Sequence, residues 1–247
     1  MRQFNNNSAV YDAIRDKIAY PEALYQHLAQ LCRYHEAALD IACGTGISTA
    51  RLANHFIHVE GVDFGQHLID KARENYPKIG FSVSKAETFV SPRTFDLVTC
   101  ATAFYWLNRD RVLKRLPHLL SEHGVFCAYR YEFPVVYGPL RRIIERELVD
   151  NWANHRDQRL TLYDDTLEKM EQSGVFRSSE RMLVGNILEL SPREIALFFL
   201  STSYVTQFID REGGPGYATE LLAEIDEVDA GAKVKVNFDI QAFVAVR

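Results

Sequence analysis

The chain has no C-x-x-C pair. Its four cysteines, Cys32, Cys43, Cys100 and Cys127, are too widely spaced for a disulfide scaffold or a structural zinc site. Three of them stand inside apolar runs, where a thiol behaves as a small buried hydrophobe. Long apolar runs are missing as well. None approaches the ~18 residues of a membrane span, and Met1 to Asn7 holds no apolar secretion core, so no membrane partner and a cytoplasmic location are expected. Basic charge is in short supply: 28 Lys and Arg against 33 Asp and Glu leave a net charge of −5. A nucleic-acid backbone needs clustered Lys and Arg, so nucleic acid is not an expected partner. The histidines are scattered, and pairs such as His55 with His58 or His118 with His123 lack further ligands, so no metal site is expected. Repeats and low-complexity stretches are absent too.

What is present is ordinary globular material, 47% hydrophobic and 25% charged over 247 residues. The first half alternates strand and helix. Tyr20-Pro21-Glu22 opens a helix with apolar residues at Leu24, Leu28 and Leu31. Strands are expected at Ala37–Ala42, Val59–Asp63, Phe81–Val83, Phe95–Ala101 and Gly124–Tyr129. Helices carrying Ile47, Leu52 and Phe56, then Leu68, Ile69 and Ala72, separate the first three. Such spacing demands parallel pairing with right-handed crossovers, hence a doubly wound α/β sheet. Pro117 should break or kink the helix before the fifth strand.

After Tyr131 the rhythm changes. Helices are expected after Pro139, after Asp165 with Glu168 as its capping partner and Gly174 at its end, and after Ser191 with Glu194. Ser179–Leu190 has strand character, and Val234–Val246 reads as one terminal strand, antiparallel to the rest. The expected organisation is a single domain over 1–247: N-terminal lid helices (1–36), a cofactor-binding core (37–132), a helical cap packed over the open edge of the sheet (133–207) and a C-terminal strand region (208–247).

The chemistry concentrates in Leu39-Asp40-Ile41-Ala42-Cys43-Gly44-Thr45-Gly46-Ile47-Ser48. An apolar strand delivers an acid, two glycines one residue apart form a turn a ligand can approach, and a helix N-terminus follows. Ligands of open α/β sheets sit beyond the carboxyl ends of the strands. A second acid, Asp63, ends the next strand about 20 residues on, where a carboxylate accepts both hydroxyls of a ribose. A nicotinamide dinucleotide would want a third glycine, and Ile47-Ser48-Thr49 occupies its place. A donor without pyrophosphate needs none.

These residues resemble motif I of the class I S-adenosylmethionine-dependent methyltransferases. Asp63-Phe64 is similar to motif II, and Ser84-Lys85-Ala86-Glu87 aligns with the Gly-Asp-Ala-Glu after the third strand, Lys85 standing where the family has an acid. Phe95–Leu107 and the N-terminal segment from Tyr11 through Arg15 to Pro21 resemble the branch containing trans-aconitate methyltransferases. There Phe104-Tyr105-Trp106 replaces an aromatic–His–Trp triplet, and Thr202 stands where tryptophan is common. The resemblance implies S-adenosyl-L-methionine as cofactor and S-adenosyl-L-homocysteine as product. It places cofactor contacts at Tyr11, Asp40, Ala42, Gly44, Gly46, Asp63, Phe64, Ala86, Glu87 and Ala101, and acceptor contacts at Tyr11, Arg15, Tyr105, Trp106, Arg130 and Tyr131.

The expected reaction is methylation of a small molecule, a carboxylic acid at oxygen or another biosynthetic intermediate. Tyr105, Tyr131 and Glu132 are the candidate acids and bases near the fifth strand, and Arg130 is a bidentate anchor for a carboxylate or phosphate. Tyr11, Tyr105 and Trp106 could wall the pocket and face a cationic sulfonium. The competing readings are N- or C-methylation of a metabolite, methylation of a protein or RNA, and a binding protein for S-adenosylmethionine or a nicotinamide without methyl transfer. The aromatic-rich second half leaves room for a homodimer interface.

Overall fold

The computed structural model describes Ile14, residues 17–228 and residues 231–247. The contacts of the described residues group into two units, one made of 20–132, 163–184 and 240–247, the other of Ile14, 17–19, 133–162, 185–228 and 231–239.

The first unit is built on a seven-stranded sheet. Strands β1 (Ala37–Ile41), β2 (His58–Asp63), β3 (Gly80–Val83), β4 (Phe95–Ala101), β5 (Leu120–Tyr131), β7 (Ser178–Val184) and β10 (Ile240–Val246) lie in the order β3-β2-β1-β4-β5-β10-β7. The first five pair in parallel, whereas β10 runs antiparallel to both of its neighbours. This is the doubly wound, mostly parallel sheet that the alternating pattern predicts. β1 is buried along its whole length and pairs with β2 on one side and β4 on the other. The order of winding reverses there, which opens a crevice at the carboxyl ends of β1 and β4.

Two-residue alternation assigns the strand side chains to two cores. Ala38, Leu97, Val125, Cys127, Tyr129 and Val244 pack with Leu24, Tyr25 and Leu28 of helix α1 (Glu22–Leu31) and Leu52 of α2 (Ile47–Leu52). Leu39, Ile41, Val98, Phe126, Ala128 and Phe243 pack on the other face with Val112, Leu113 and Leu116 of α4 (Arg109–Leu119), α3 (Gln66–Asn75) lying in between in sequence. All four cysteines are reduced and buried, and burial lifts the Cys32 thiol to about 12.

Several local expectations are corrected. α2 ends at Leu52, so Phe56 is buried from the turn that follows. α4 runs through Pro117 to Leu119 instead of breaking. The proline sits in the last turn, where only one ladder bond is forfeited. β5 starts at Leu120, four residues earlier than predicted, and takes up the extra chain as an irregularity opposite Phe95–Leu97. α7 (Thr166–Gln172) is capped by Asp164, whose Oδ1 accepts from the Thr166 N–H at 3.1 Å, whereas Asp165 makes no side-chain cap. Glu168 takes the hydroxyl of Tyr163.

The other unit has its own three-stranded antiparallel sheet, β6 (Val135–Val136), β9 (Val234–Asn237) and β8 (Ile187–Leu190), so it is not purely helical. The tail read as one strand is therefore two, β9 and β10, in different sheets. The break is polar: Asp239 N–H donates to Asn237 Oδ1 and Asp239 Oδ1 accepts from Asn186 N–H. Likewise Ser179–Leu190 divides at Gly185-Asn186 into β7 and β8. The helices of this unit are α5 (Leu140–Glu147), α6 (Gln158–Thr161), α8 (Pro192–Leu200), α9 (Ser203–Phe208) and α10 (Tyr217–Asp226). α8 begins with the predicted reciprocal cap between Ser191 and Glu194. Trp152 is fully buried and stacks on Phe199 with ring centroids 5.2 Å apart.

Beside that stack lies a buried carboxylate, Glu147. It accepts from Asn151 Nδ2 at 2.7 Å, from Arg146 at 2.8 Å and from the Tyr217 hydroxyl, which in turn accepts from Trp152 Nε1 at 2.8 Å. Tyr217→Phe leaves the indole N–H without its partner and Glu147 one donor short, so it should destabilise the chain by about 1–3 kcal/mol. Urea unfolding followed by tryptophan fluorescence measures this, and an unchanged midpoint would show the network to be energetically silent.

Candidate functional site

The crevice at the switch point is lined by chain turned into unusual conformations. Ala42, Gly44 and Gly46 follow β1 with φ of +54°, +56° and +85°, and Thr102 follows β4 with φ of +50°. For Ala42 and Thr102 this is backbone strain of order 1–3 kcal/mol, held in place by surrounding bonds. Cys43 N–H donates to Val62 O at 3.0 Å, and Thr102 N–H donates to Tyr129 O at 2.6 Å. The Thr102 hydroxyl is 2.6 Å from that of Tyr20.

The two glycines differ in what they face. A Cβ on Gly46 would stand 2.8 Å from Phe81 Cζ, so this glycine exists for internal packing. A Cβ on Gly44 would meet nothing within 4 Å. The turn is thus closed beneath Gly46 and open at Gly44, where a ligand can approach the backbone.

Each of the two acids has a defined task in the loop. Asp40 is fully buried, and its oxygens accept from Thr49 Oγ1 of α2 and Thr99 Oγ1 of β4, both at 2.8 Å. It ties β1, β4 and the helix after the glycine turn together, and its side chain is turned into the protein. Burial lifts the Asp40 carboxyl to about 6, against the two threonine bonds that lower it. Asp63 is 5% exposed. Its Oδ2 accepts from Gly44 N–H at 3.0 Å and its Oδ1 from Gly65 N–H at 2.8 Å. One carboxylate therefore spans the turns after β1 and β2, and each oxygen keeps a lone pair for a hydroxyl donor.

The remaining candidates distribute as follows. Phe64 is 56% exposed immediately beyond Asp63, and Val83, opposite Asp63 in register, is also exposed. Together they offer an apolar platform at the ends of β2 and β3. Ala86 is buried in the turn after β3, and Glu87 accepts from Asn108 N–H at 3.0 Å, joining that turn to the start of α4. Ala101 ends β4, half-buried. Tyr105 and Trp106 occupy a single 3-10 turn, their rings 5.1 Å apart. Arg130 and Tyr131 end β5, with Glu132 exposed next to them. Tyr11 and Arg15 lie outside the described residues.

Sequence reasoning missed the supports. Thr49 and Thr99 hold Asp40, and Ser48 lies within hydrogen bonding of the buried Tyr129 hydroxyl at 2.5 Å and accepts from Tyr25 at 3.4 Å. The available signal was a lone hydroxyl within an otherwise apolar stretch, as at Thr99. Asp164, which pairs with both Arg130 and Arg109, and Thr166, which lines the same small pocket, arrive from distant sequence and carried no signal. Among the described residues no group of His, Cys, Asp and Glu could hold a metal ion, and no helix is long and apolar enough to cross a membrane.

The Asp40 shift has a measurable consequence. The folded chain holds this proton up to about pH 6, whereas an unperturbed carboxyl releases it near 3.8. Stability from this group is therefore present at low pH and declines as pH rises between those values, by up to roughly 3 kcal/mol, then levels off. Asp40→Asn should flatten that part of the profile. Urea unfolding of both proteins from pH 4 to 7 checks it, and parallel profiles would contradict the assignment.

Residues 38–124 match the family model described as "Methyltransferase domain". Over 125 residues the chain is 32% identical to a trans-aconitate 2-methyltransferase of Methylobacterium radiotolerans, covering 49% of this chain and 47% of that protein. Over 121 residues it is 30% identical to a malonyl-[acyl-carrier protein] O-methyltransferase of Bacillus anthracis, covering 46% and 45%. The matches thus span about half the length of these relatives. A solved structure from Anaeromyxobacter dehalogenans, provisionally assigned as a type II methyltransferase, superposes with a TM-score of 0.73 at 21% identity, covering 92% of this chain and 97% of that one. It establishes the likeness of fold.

Proposed function

We propose that this chain is a class I methyltransferase that transfers a methyl group from S-adenosylmethionine to a small-molecule acceptor bearing a carboxylic acid, at oxygen. The observation that carries the cofactor half is the open Gly44 face beside an Asp63 carboxylate already fixed by two backbone N–H groups. The ribose hydroxyls would donate to Asp63, adenine would lie on the Phe64 and Val83 side, and the amino-acid end would follow the strained turns after β1 and β4. The acceptor half is supported by two relatives whose names specify trans-aconitate and a malonyl group, both of which carry free carboxyls.

When bound, the cofactor supplies a methyl already activated by a cationic sulfonium. The protein's contribution is alignment: holding acceptor oxygen, methyl carbon and sulfur in line is worth ~7–11 kcal/mol of barrier. A carboxylate is nucleophilic at neutral pH and needs no proton removed. That fits a neighbourhood at the ends of β4 and β5 whose acid–base groups include Tyr105, Tyr131, Glu132 and, beside Arg130, Asp164. Asp63 and the open Gly44 face would hold the cofactor, whose sulfonium would supply the methyl group and depart as a neutral thioether.

Calorimetric titration tests the cofactor reading. S-adenosylhomocysteine should bind, NAD should not, and Asp63→Ala should weaken S-adenosylhomocysteine by more than tenfold because two buried ribose hydrogen bonds are lost. Unchanged affinity in Asp63→Ala, or NAD bound as well as S-adenosylhomocysteine, would refute it.

A further inference from the structure

The turn after β4 is strained, and part of what holds it comes from outside the sheet. Thr102 is a β-branched residue with φ of +50°, a region such side chains rarely enter, and it is only 8% exposed. Two bonds hold it there. Its N–H donates to Tyr129 O at 2.6 Å, and its hydroxyl is 2.6 Å from that of Tyr20.

Tyr20 is a fixed point. It precedes Pro21, which disfavours helical backbone at Tyr20, and Pro21 opens α1, whose Leu24, Tyr25 and Leu28 are fully buried. The Tyr20 ring packs edge-on against Tyr129 with centroids 5.0 Å apart and lies 6.5 Å from the Tyr131 ring. Tyr129 is buried, and its hydroxyl is 2.5 Å from Ser48 Oγ in the first turn of α2. Tyr20, Tyr129 and Ser48 thus connect the turn after β4 with the helix after the glycine turn, the two sides of the crevice at the switch point. A backbone conformation this unfavourable persists only while its surroundings enforce it. Released from Tyr20, Thr102 would gain by relaxing to a negative φ, and the chain leaving β4 would change course.

We propose that Tyr20 is a positioning residue for methyl transfer: through its hydroxyl bond to Thr102 it holds the turn after β4 in the strained conformation that receives the amino-acid end of the cofactor. The inference rests on the methyltransferase reading above and adds a residue that acts on the cofactor through another.

The test is calorimetric titration of the full chain with S-adenosylhomocysteine. Tyr20→Phe, which deletes only the hydroxyl, should weaken binding at least fivefold. Thr102→Ala should do the same, because the threonine hydroxyl goes while the Cβ that disfavours a positive φ stays. Thr102→Gly deletes the same hydroxyl and removes the strain with it, so its affinity should stay within threefold of the wild type. Tyr20→Phe combined with Thr102→Gly should match Thr102→Gly alone, a rescue that a tyrosine serving only to stabilise the fold would not show. The contrast between Thr102→Ala and Thr102→Gly is the readout if Tyr20→Phe does not fold. A loss below fivefold in Tyr20→Phe or Thr102→Ala, equal losses in Thr102→Ala and Thr102→Gly, or a further loss in the double variant overturns the brace alone. Failure of the wild type to bind S-adenosylhomocysteine overturns the reading beneath it.

Discussion

The glycine turn can hold its shape because a carboxylate that faces no solvent pins it from below. Asp40 receives one hydroxyl from the helix after the turn and one from the neighbouring strand, so β1, β4 and α2 cannot shift independently. Burying a carboxyl is unfavourable, and its lifted pKa records that cost. What the cost secures is geometry: the backbone between Asp40 and Ile47 stays in conformations that Ala42 would not adopt in a free peptide. Asp63 performs the complementary task on the open side, joining the turn after β1 to the turn after β2 through two N–H groups. The site is therefore preorganised by two acids of unlike exposure and unlike use, one turned into the protein and one set beside the open face of Gly44.

That division of labour explains what the sequence could and could not reveal. The parallel sheet was legible because period and spacing dictate it: five apolar runs separated by helical stretches leave few alternatives to a doubly wound topology. The Asp40–Gly46 turn was legible through its glycines, of which Gly46 combines a φ of +85° with packing against Phe81 that leaves no room for a Cβ. That the Asp40 side chain turns into the protein was not legible, since the hydroxyls that hold it come from α2 and β4. Thr49 and Thr99 lie 50 residues apart and converge on one carboxylate only after β1 and β4 pair. The same holds for Asp164, which reaches Arg130 because α7 packs against the sheet unit, a consequence of tertiary folding with no local pattern.

The second half of the chain was harder to read, and the reasons are again local. Val234–Val246 has the apolar content of one long strand. Asn237 and Asp239, on either side of the buried Phe238, capture backbone N–H groups with their side chains and divide it between two sheets. Pro117 errs in the opposite direction: a residue expected to end a helix sits where the helix is ending anyway. Where the pattern includes both partners of an interaction within a few residues, as in the Ser191–Glu194 cap, it translates directly into structure.

The claim on which the account rests is that the open face of Gly44, backed by Asp63, receives an adenosyl ligand. The most direct measurement is the amide nitrogen–proton spectrum of the labelled protein as S-adenosylhomocysteine is added. The largest shifts should fall on Gly44 and Gly65, whose N–H groups donate to the Asp63 carboxylate, and on Phe64 between Asp63 and Gly65 in the chain. Saturable binding that leaves these three signals unmoved, with the shifts clustered elsewhere in the chain, would contradict it.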